Sequence, residues 1–120
     1  MTDMLTNDMA QLHRQITAVG VHNIRACGPG YGKVVLKASP SAEFSFSSEA
    51  SWPRESYEAA VVSCVVDTIR KWGYTELIAW KFLLTEIDWD DIRSYQESYY
   101  KAACIATDEI MRKIEEEGVE

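Results

Sequence analysis

Apolar and polar positions along the 120-residue chain change period several times, and each change marks an element. Val34 and Leu36 alternate with Lys33 and Lys37, which predicts a half-buried strand over 33–38. Phe44 and Phe46 alternate with Ser45 and Ser47, the cleanest period-two signal in the chain, with an aromatic face inward and a hydroxyl face toward water. Leu77 through Ile87 sets Ile78, Trp80, Phe82 and Leu84 against Ala79, Lys81, Leu83 and Thr85, a largely buried and central strand. Tyr57, Val61, Cys64, Val65, Ile69 and Trp72 instead recur at three and four residues, a helix stripe. Trp52-Pro53 marks its start, because proline suits a first helical turn, and Gly73 ends it as the C′ residue. A last helix runs from the capping-box pattern Ser94-Tyr95-Gln96-Glu97 to about Glu117, with Tyr99, Ala103, Ala106, Ile110 and Ile114 as its buried edge. Ala102, Ala103 and Ala106 let this helix approach a neighbour closely.

The first quarter of the chain is less regular. Met4, Leu5, Met9, Leu12 and Ile16 fall near helical spacing, so 3–13 reads as a short helix or a frayed amphipathic lead-in. Val19, Val21 and Ile24 make 16–26 a strand, and their phase change predicts a bulge or bend at His22-Asn23. Cys27-Gly28-Pro29-Gly30-Tyr31-Gly32-Lys33 then packs three glycines and a proline into five residues, which no helix or strand interior accommodates. It reads as a special loop feeding the 33–38 strand. The resulting order is β-β-β-α-β-α, an α+β two-layer sandwich with a four-stranded sheet and two helices on one face. Residues 16–117 form one domain, preceded by a lead-in over 1–15 and followed by a tail over 118–120.

Charge narrows the function classes. Nineteen acidic against twelve basic side chains leave a net charge of −7, which argues against general DNA or anionic-membrane binding. No secretory signal and no apolar run near ~20 residues is present, so no membrane partner is expected and the chain reads as cytoplasmic. Cys27, Cys64 and Cys104 are odd in number and widely spaced, which reads as three reduced thiols, with Cys64 in the core. Oligomeric state is left open.

Candidate chemistry is sparse. Asp88, Asp90 and Asp91 could hold a hard cation, but the spacing lacks the glycine and distal glutamate of a calcium loop. The alternative is a solvated turn whose charges favour the start of the last helix. His13 and His22 have no companions at metal-ligand spacing, and His22 reads as a strand residue at an irregularity. Ser45 and Ser47 lack a histidine partner in any recognisable motif. No metal, no cofactor and no enzymatic activity are therefore expected.

The run Asn23-Ile24-Arg25-Ala26-Cys27-Gly28-Pro29-Gly30-Tyr31-Gly32-Lys33-Val34 resembles the start of the fourth domain of translation elongation factor G, with its Ile-Arg pair and Gly-Gly-x-Gly-x-Tyr-Gly loop. Phe44-Ser45-Phe46, then Trp52-Pro53-Arg54-Glu55 through Tyr57, is similar to that family's third strand and helix start. Glu97-Ser98-Tyr99-Tyr100-Lys101-Ala102-Ala103 resembles its closing Glu-x-x-Phe-Lys-x-Ala helix. Order and spacing hold over about 16–114. The resemblance implies a stand-alone counterpart of that domain, including its left-handed crossover, an exception to the usual hand. It implies a tRNA-like arm acting on the ribosome or a translation factor, through a tip made of Gly28, Pro29, Gly30, Tyr31 and Gly32 with Asp88, Trp89, Asp90 and Asp91.

Departures from the family redirect that expectation. No GTP-binding loop is present, since Gly28-Pro29-Gly30-Tyr31-Gly32-Lys33 has the wrong spacing and continues into Val34, so no GTP binds this chain. Where the family's second tip loop carries a histidine among small polar residues, Asp88-Trp89-Asp90-Asp91 would repel phosphate. The alternative is an acidic immunity or adaptor protein whose tip meets a basic protein partner. Tyr31 and Trp89 would serve either reading as exposed anchors, or would pack against each other to close the tip.

Overall fold

The expected element order is present in the computed structural model of the chain, which describes residues 15–23, 30–74, 78–90 and 94–118. Strands β1 (Ile16–Asn23), β2 (Tyr31–Pro40) and β3 (Ser45–Ser48) precede helix α1 (Glu58–Lys71), strand β4 (Trp80–Asp88) and helix α2 (Gln96–Gly118). The sheet order is β1-β2-β4-β3. β2 is antiparallel to both β1 and β4, whereas β3 lies parallel to β4 and reaches it through the α1 crossover. The fold is the α+β sandwich that the periodicities predict, with β4 central.

Alternation decides which face is covered. Ile16, Ala18, Val34, Leu36, Ala38, Phe82 and Leu84 point inward, and Val34, Leu36, Phe82 and Leu84 are completely buried. They share one core with Val61, Val65 and Ile69 of α1 and with Tyr99, Ala103, Ala106 and Ile110 of α2. Burying a Val, Leu, Ile or Phe side chain is worth about 1.5–3 kcal/mol, so this layer supplies the main stabilisation. The opposite face stays open, with Thr17, Val19, Lys37 and Lys81 exposed along it.

Because β3 and β4 run the same way, α1 and α2 both return from the same end of the sheet. β1 ends there at Asn23, β2 begins at Tyr31 and β4 ends at Asp88. Both helix N-termini therefore lie at this tip end.

α2 comes unusually close to the sheet. A Cβ added at Gly20 would stand 1.8 Å from the Ala102 carbonyl oxygen, and one at Gly32 would stand 2.8 Å from the Ser98 carbonyl. Both clashes are with backbone, so only glycine permits this separation. The small residues Ala102, Ala103 and Ala106 do allow a close approach, and the neighbour they approach is the sheet. Gly32 thus belongs to β2 and not to a loop. Its role is this contact, since Gly73 is the one described residue with a positive φ, at 103°.

Other expectations need correction. The β1–β2 register is unbroken through Asn23, so there is no bulge at His22-Asn23 within β1. The irregularity lies instead between Val35 and Leu36 against β4, where Thr85 is the extra residue and donates to the Val35 carbonyl at 3.2 Å. α1 begins at Glu58, not at Pro53, and Ser56 Oγ accepts from the Glu58 amide at 3.2 Å. The proline preference is overridden because 53–57 must carry the chain from the β3 edge across the tip. The lead-in helix over 3–13 and Cys27 lie outside the described residues, as do Gly28, Pro29 and Asp91.

Three separate thiols are also not what the structure shows. Cys64 of α1 and Cys104 of α2 form a disulfide, with a Cα–Cα separation of 5.6 Å across 40 residues. Sequence spacing could not reveal the pair, because helix packing alone brings the two positions together. The same interface carries Tyr100 Oη donating to Asp67 at 2.8 Å, Trp72 Nε1 donating to Asp108 at 3.0 Å, and Tyr74 donating to Glu115. No described helix is long and apolar enough to cross a membrane.

Two outcomes follow for stability. Reducing the disulfide should lower unfolding free energy by about 2–4 kcal/mol, the usual value for closing a loop of this size. An unchanged urea midpoint after reduction would contradict the bond. Gly20→Ala should cost about 1–3 kcal/mol through overpacking, whereas Val19→Ala, on the exposed side of the same strand, should stay within about 0.5 kcal/mol.

Candidate functional site

The tip end is organised by one serine. Ser94, which is 5% exposed, donates through Oγ to the Tyr31 carbonyl at 2.9 Å and accepts from the Asp90 amide at 2.9 Å. The Ser94 amide in turn donates to the Asp90 carbonyl at 2.9 Å. One hydroxyl therefore fastens the start of β2 to the segment after β4. Ser94 does not cap α2 as the capping-box pattern predicts. The box is shifted by one residue: Ser98 Oγ accepts from the Tyr95 amide at 3.3 Å, taking the reach-back role expected of Glu97.

Tyr99 completes the knot from the core side. It is fully buried and donates from its hydroxyl to the Asp88 carbonyl at 2.7 Å, with Ser94 Oγ at 3.2 Å. Burial raises the Tyr99 phenol above its ordinary value, outweighing the downward pull of the Ser94 hydrogen bond, and the nearby Asp88 charge adds a smaller upward push. Asp88 also accepts from the Tyr31 hydroxyl and, at 3.1 Å, from the Trp89 amide.

Tyr31 and Trp89 do not pack on each other. Tyr31 is held by Asp88, whereas Trp89 joins a triangular aromatic cluster. Its ring is stacked on those of Tyr57 and Tyr99 at 5.5 and 5.7 Å with planes 16° and 19° apart, and those two rings are 5.8 Å from each other. Trp52 stands edge-on to the stack, with its ring 5.0 Å from that of Tyr99. Stacked and edge-on pairs of this kind add about 0.5–1.5 kcal/mol each beyond area burial. Trp89 is thus a packed, half-buried residue and not a free anchor. Of the residues expected at the tip, Tyr31, Asp88, Trp89 and Asp90 converge here. Gly30 is buried at the entry to β2, and Gly32 lies beneath α2.

Beside the stack, a groove of about 700 Å³ opens between the first turns of α1 and α2. Its walls include the phenol rings of Tyr57, Tyr95 and Tyr100 and the carboxylates of Glu55 and Glu97. An adjoining hollow of about 410 Å³ shares Glu55, Tyr57 and Tyr95 and continues to Trp89 and Ser94. Tyr95 is 52% exposed, and burial together with the neighbouring Glu55 raises the Tyr57 phenol. Sequence reading missed this groove, although the density of aromatic residues over 52–57 and 95–100 was a usable signal.

Electrostatics at this end are decided by counting. Glu58 and Glu97 occupy the first turns of the helices, with Glu55, Asp88 and Asp90 close by. Each helix start contributes about half a positive charge, and Arg54 and Lys33 add two cations nearby, which together still fall short of the five carboxylates. The acids thus stabilise the helix starts and leave the surface negative. Among the described residues no group of three His, Cys, Asp or Glu side chains is placed to hold a metal ion. His22 lies in β1 opposite Gly32, as a strand residue.

No protein-family model matches the chain, and no curated protein matches it in sequence. In fold it is similar to the crystal structure of a protein from Thermus thermophilus, with a TM-score of 0.72 and 18% identity. The match covers 85% of this chain and 16% of that one, so the chain spans about a sixth of that protein's length. A likeness at this identity shows the shared sandwich architecture and nothing of the activity.

The raised tyrosines set a pH dependence. Tyr99, Tyr100 and Tyr74 hold their protons more tightly in the fold than in the unfolded chain, the last two through hydrogen bonds to Asp67 and Glu115. Their contribution is fully present below the unfolded value of about 10 and is lost as pH rises through the folded values. Thermal melts should therefore weaken above about pH 10, in step with phenolate absorbance, and Tyr99→Phe should remove part of that loss. An identical alkaline decline in the Tyr99→Phe variant would show that Tyr99 is not a contributor.

Proposed function

We propose that the chain is a non-catalytic binding module that receives a basic segment of a protein partner at its tip end. The supporting observation is the groove between the helix starts, where the Glu55 and Glu97 carboxylates stand beside the rings of Tyr57, Tyr95 and Tyr100. A lysine or arginine side chain meets both of its needs there, a carboxylate for its charge and an aromatic face for its stem. The resemblance to the fourth domain of elongation factor G directs this reading to the ribosome or a translation factor. Ribosomal proteins are a rich source of basic segments, and Asp88 and Asp90 disfavour direct contact with RNA phosphate.

A cytoplasmic location belongs to the same reading. There the Cys64–Cys104 bond would face a reducing pool, and the fold would stand on its packed core alone. A second reading, an immunity or adaptor protein with a basic partner outside translation, draws on the same acidic tip and differs only in the partner.

Cosedimentation with purified small ribosomal subunits separates the two. Binding should fall with salt, and the variant carrying Glu55→Gln, Glu97→Gln, Asp88→Asn and Asp90→Asn should bind about tenfold more weakly or worse while keeping its circular dichroism. Binding of an arginine-rich peptide without binding to subunits would favour the adaptor reading. Full binding by the fourfold variant would remove the groove from the function.

A further inference from the structure

Two lysines on the open face of the sheet have no role in the tip. Strand pairing sets Ser39 and Ser45 on either side of Lys81, and sets Lys37 and Ser47 on either side of Leu83. Lys37 and Lys81 are therefore diagonal neighbours on adjacent strands, about 7–8 Å apart at their backbones. Their four-carbon stems reach a common point with ease. With Ser39, Ser45 and Ser47 they line a hollow of about 210 Å³ at the end of the sheet opposite the tip.

The lining is one-sided in its chemistry. Two ammonium groups, three hydroxyls and the Gln15 amide offer donors, and no carboxylate lines the hollow. Among the described residues neither the Lys37 nor the Lys81 ammonium has an ion-pair or hydrogen-bond partner. Lys33, on the same face, differs: it stands opposite Asp88 and shares a hollow with Glu86 and Asp88. Two like charges side by side on a sheet repel one another, and an anion bridging them reverses that cost. The period-two pattern that places Ser45 and Ser47 on the solvent side also aims them into this hollow.

We infer that the Lys37–Lys81 hollow binds a single phosphoryl group, either as free phosphate or at the end of a small phosphorylated molecule. A tetrahedral dianion offers enough acceptor oxygens for both ammoniums and the flanking hydroxyls, in charge-assisted hydrogen bonds. The size of the hollow suits one such group. A nucleic-acid strand needs a continuing track of cations, and the next lysine on this face, Lys33, lies among carboxylates.

The test is a set of amide chemical-shift titrations on the full chain at fixed ionic strength. The probes are inorganic phosphate, ribose 5-phosphate, and a single-stranded RNA oligomer. Saturable shifts confined to Lys37, Ser39, Ser45, Ser47 and Lys81 are expected with phosphate or with the sugar phosphate, and the tighter of the two identifies the source. Lys37→Gln with Lys81→Gln should weaken binding about tenfold or more, since each lost charge-assisted bond is worth more than a neutral one. Lys33→Gln should leave it unchanged. If the double variant misfolds, Lys81→Gln and Ser45→Ala singly provide the same comparison. Non-saturating shifts with both phosphate probes, or equal weakening by Lys33→Gln, would overturn the inference. So would RNA binding tighter than either small probe and spread over the whole face.

Discussion

The approach of α2 to the sheet is the constraint on which the rest of the molecule depends. At Gly20 and Gly32 the helix backbone sits where a side chain would otherwise be, four residues apart along α2 at Ala102 and Ser98. That contact fixes both the height and the register of the helix. Its register presents Tyr99 to the core and places Ser94, just before the helix, against the start of β2. A helix one methyl group further out would carry Tyr99 and Ser94 with it, and the hydrogen bonds joining the two tip segments would lengthen together. Close packing leaves no slack to absorb such a shift.

The tip combines two demands that usually conflict. Acidic side chains suit helix starts, and α1 and α2 begin at the same end because β3 and β4 are parallel. Concentrating carboxylates there would be costly if they were buried. They remain at the surface, while the aromatic rings of Tyr57, Trp89 and Tyr99 stack beneath them and keep water from the core. A negative rim over a rigid aromatic floor is the result, built from residues that each have a structural reason to be present.

Much of the architecture was legible because it is local. The Phe44/Ser45 alternation, the Tyr57–Trp72 stripe and the Gly73 stop each follow from interactions within a few residues, and the fold class follows from their order. What was not legible depends on residues brought together by packing. The Cys64–Cys104 bond joins facing helices. Ser94 looked like a helix cap, and only the position of Tyr31, on a distant strand, makes it a tie between segments. Gly32 looked like a loop glycine because its neighbours in sequence are glycines, whereas its constraint comes from Ser98. The pairing of Lys37 with Lys81 across β2 and β4 left no trace in either strand's own pattern. Trp52-Pro53 misled in the opposite way, offering a good helix start that the path of the chain does not use.

The Cys64–Cys104 bond has a mechanical consequence. The covalent ring it closes contains all of β4, which is hydrogen-bonded on both sides, to β2 and to β3. Tension applied to the ends of the chain can peel β1 or unwind the far part of α2, but it cannot draw out the segment between the two cysteines, whose sequence separation is 40. At about 3.3–3.6 Å per extended residue, roughly 130–145 Å of contour length stays hidden while the bond is intact. The central strand and the acidic tip segment that follows it are thus shielded from force transmitted along the backbone.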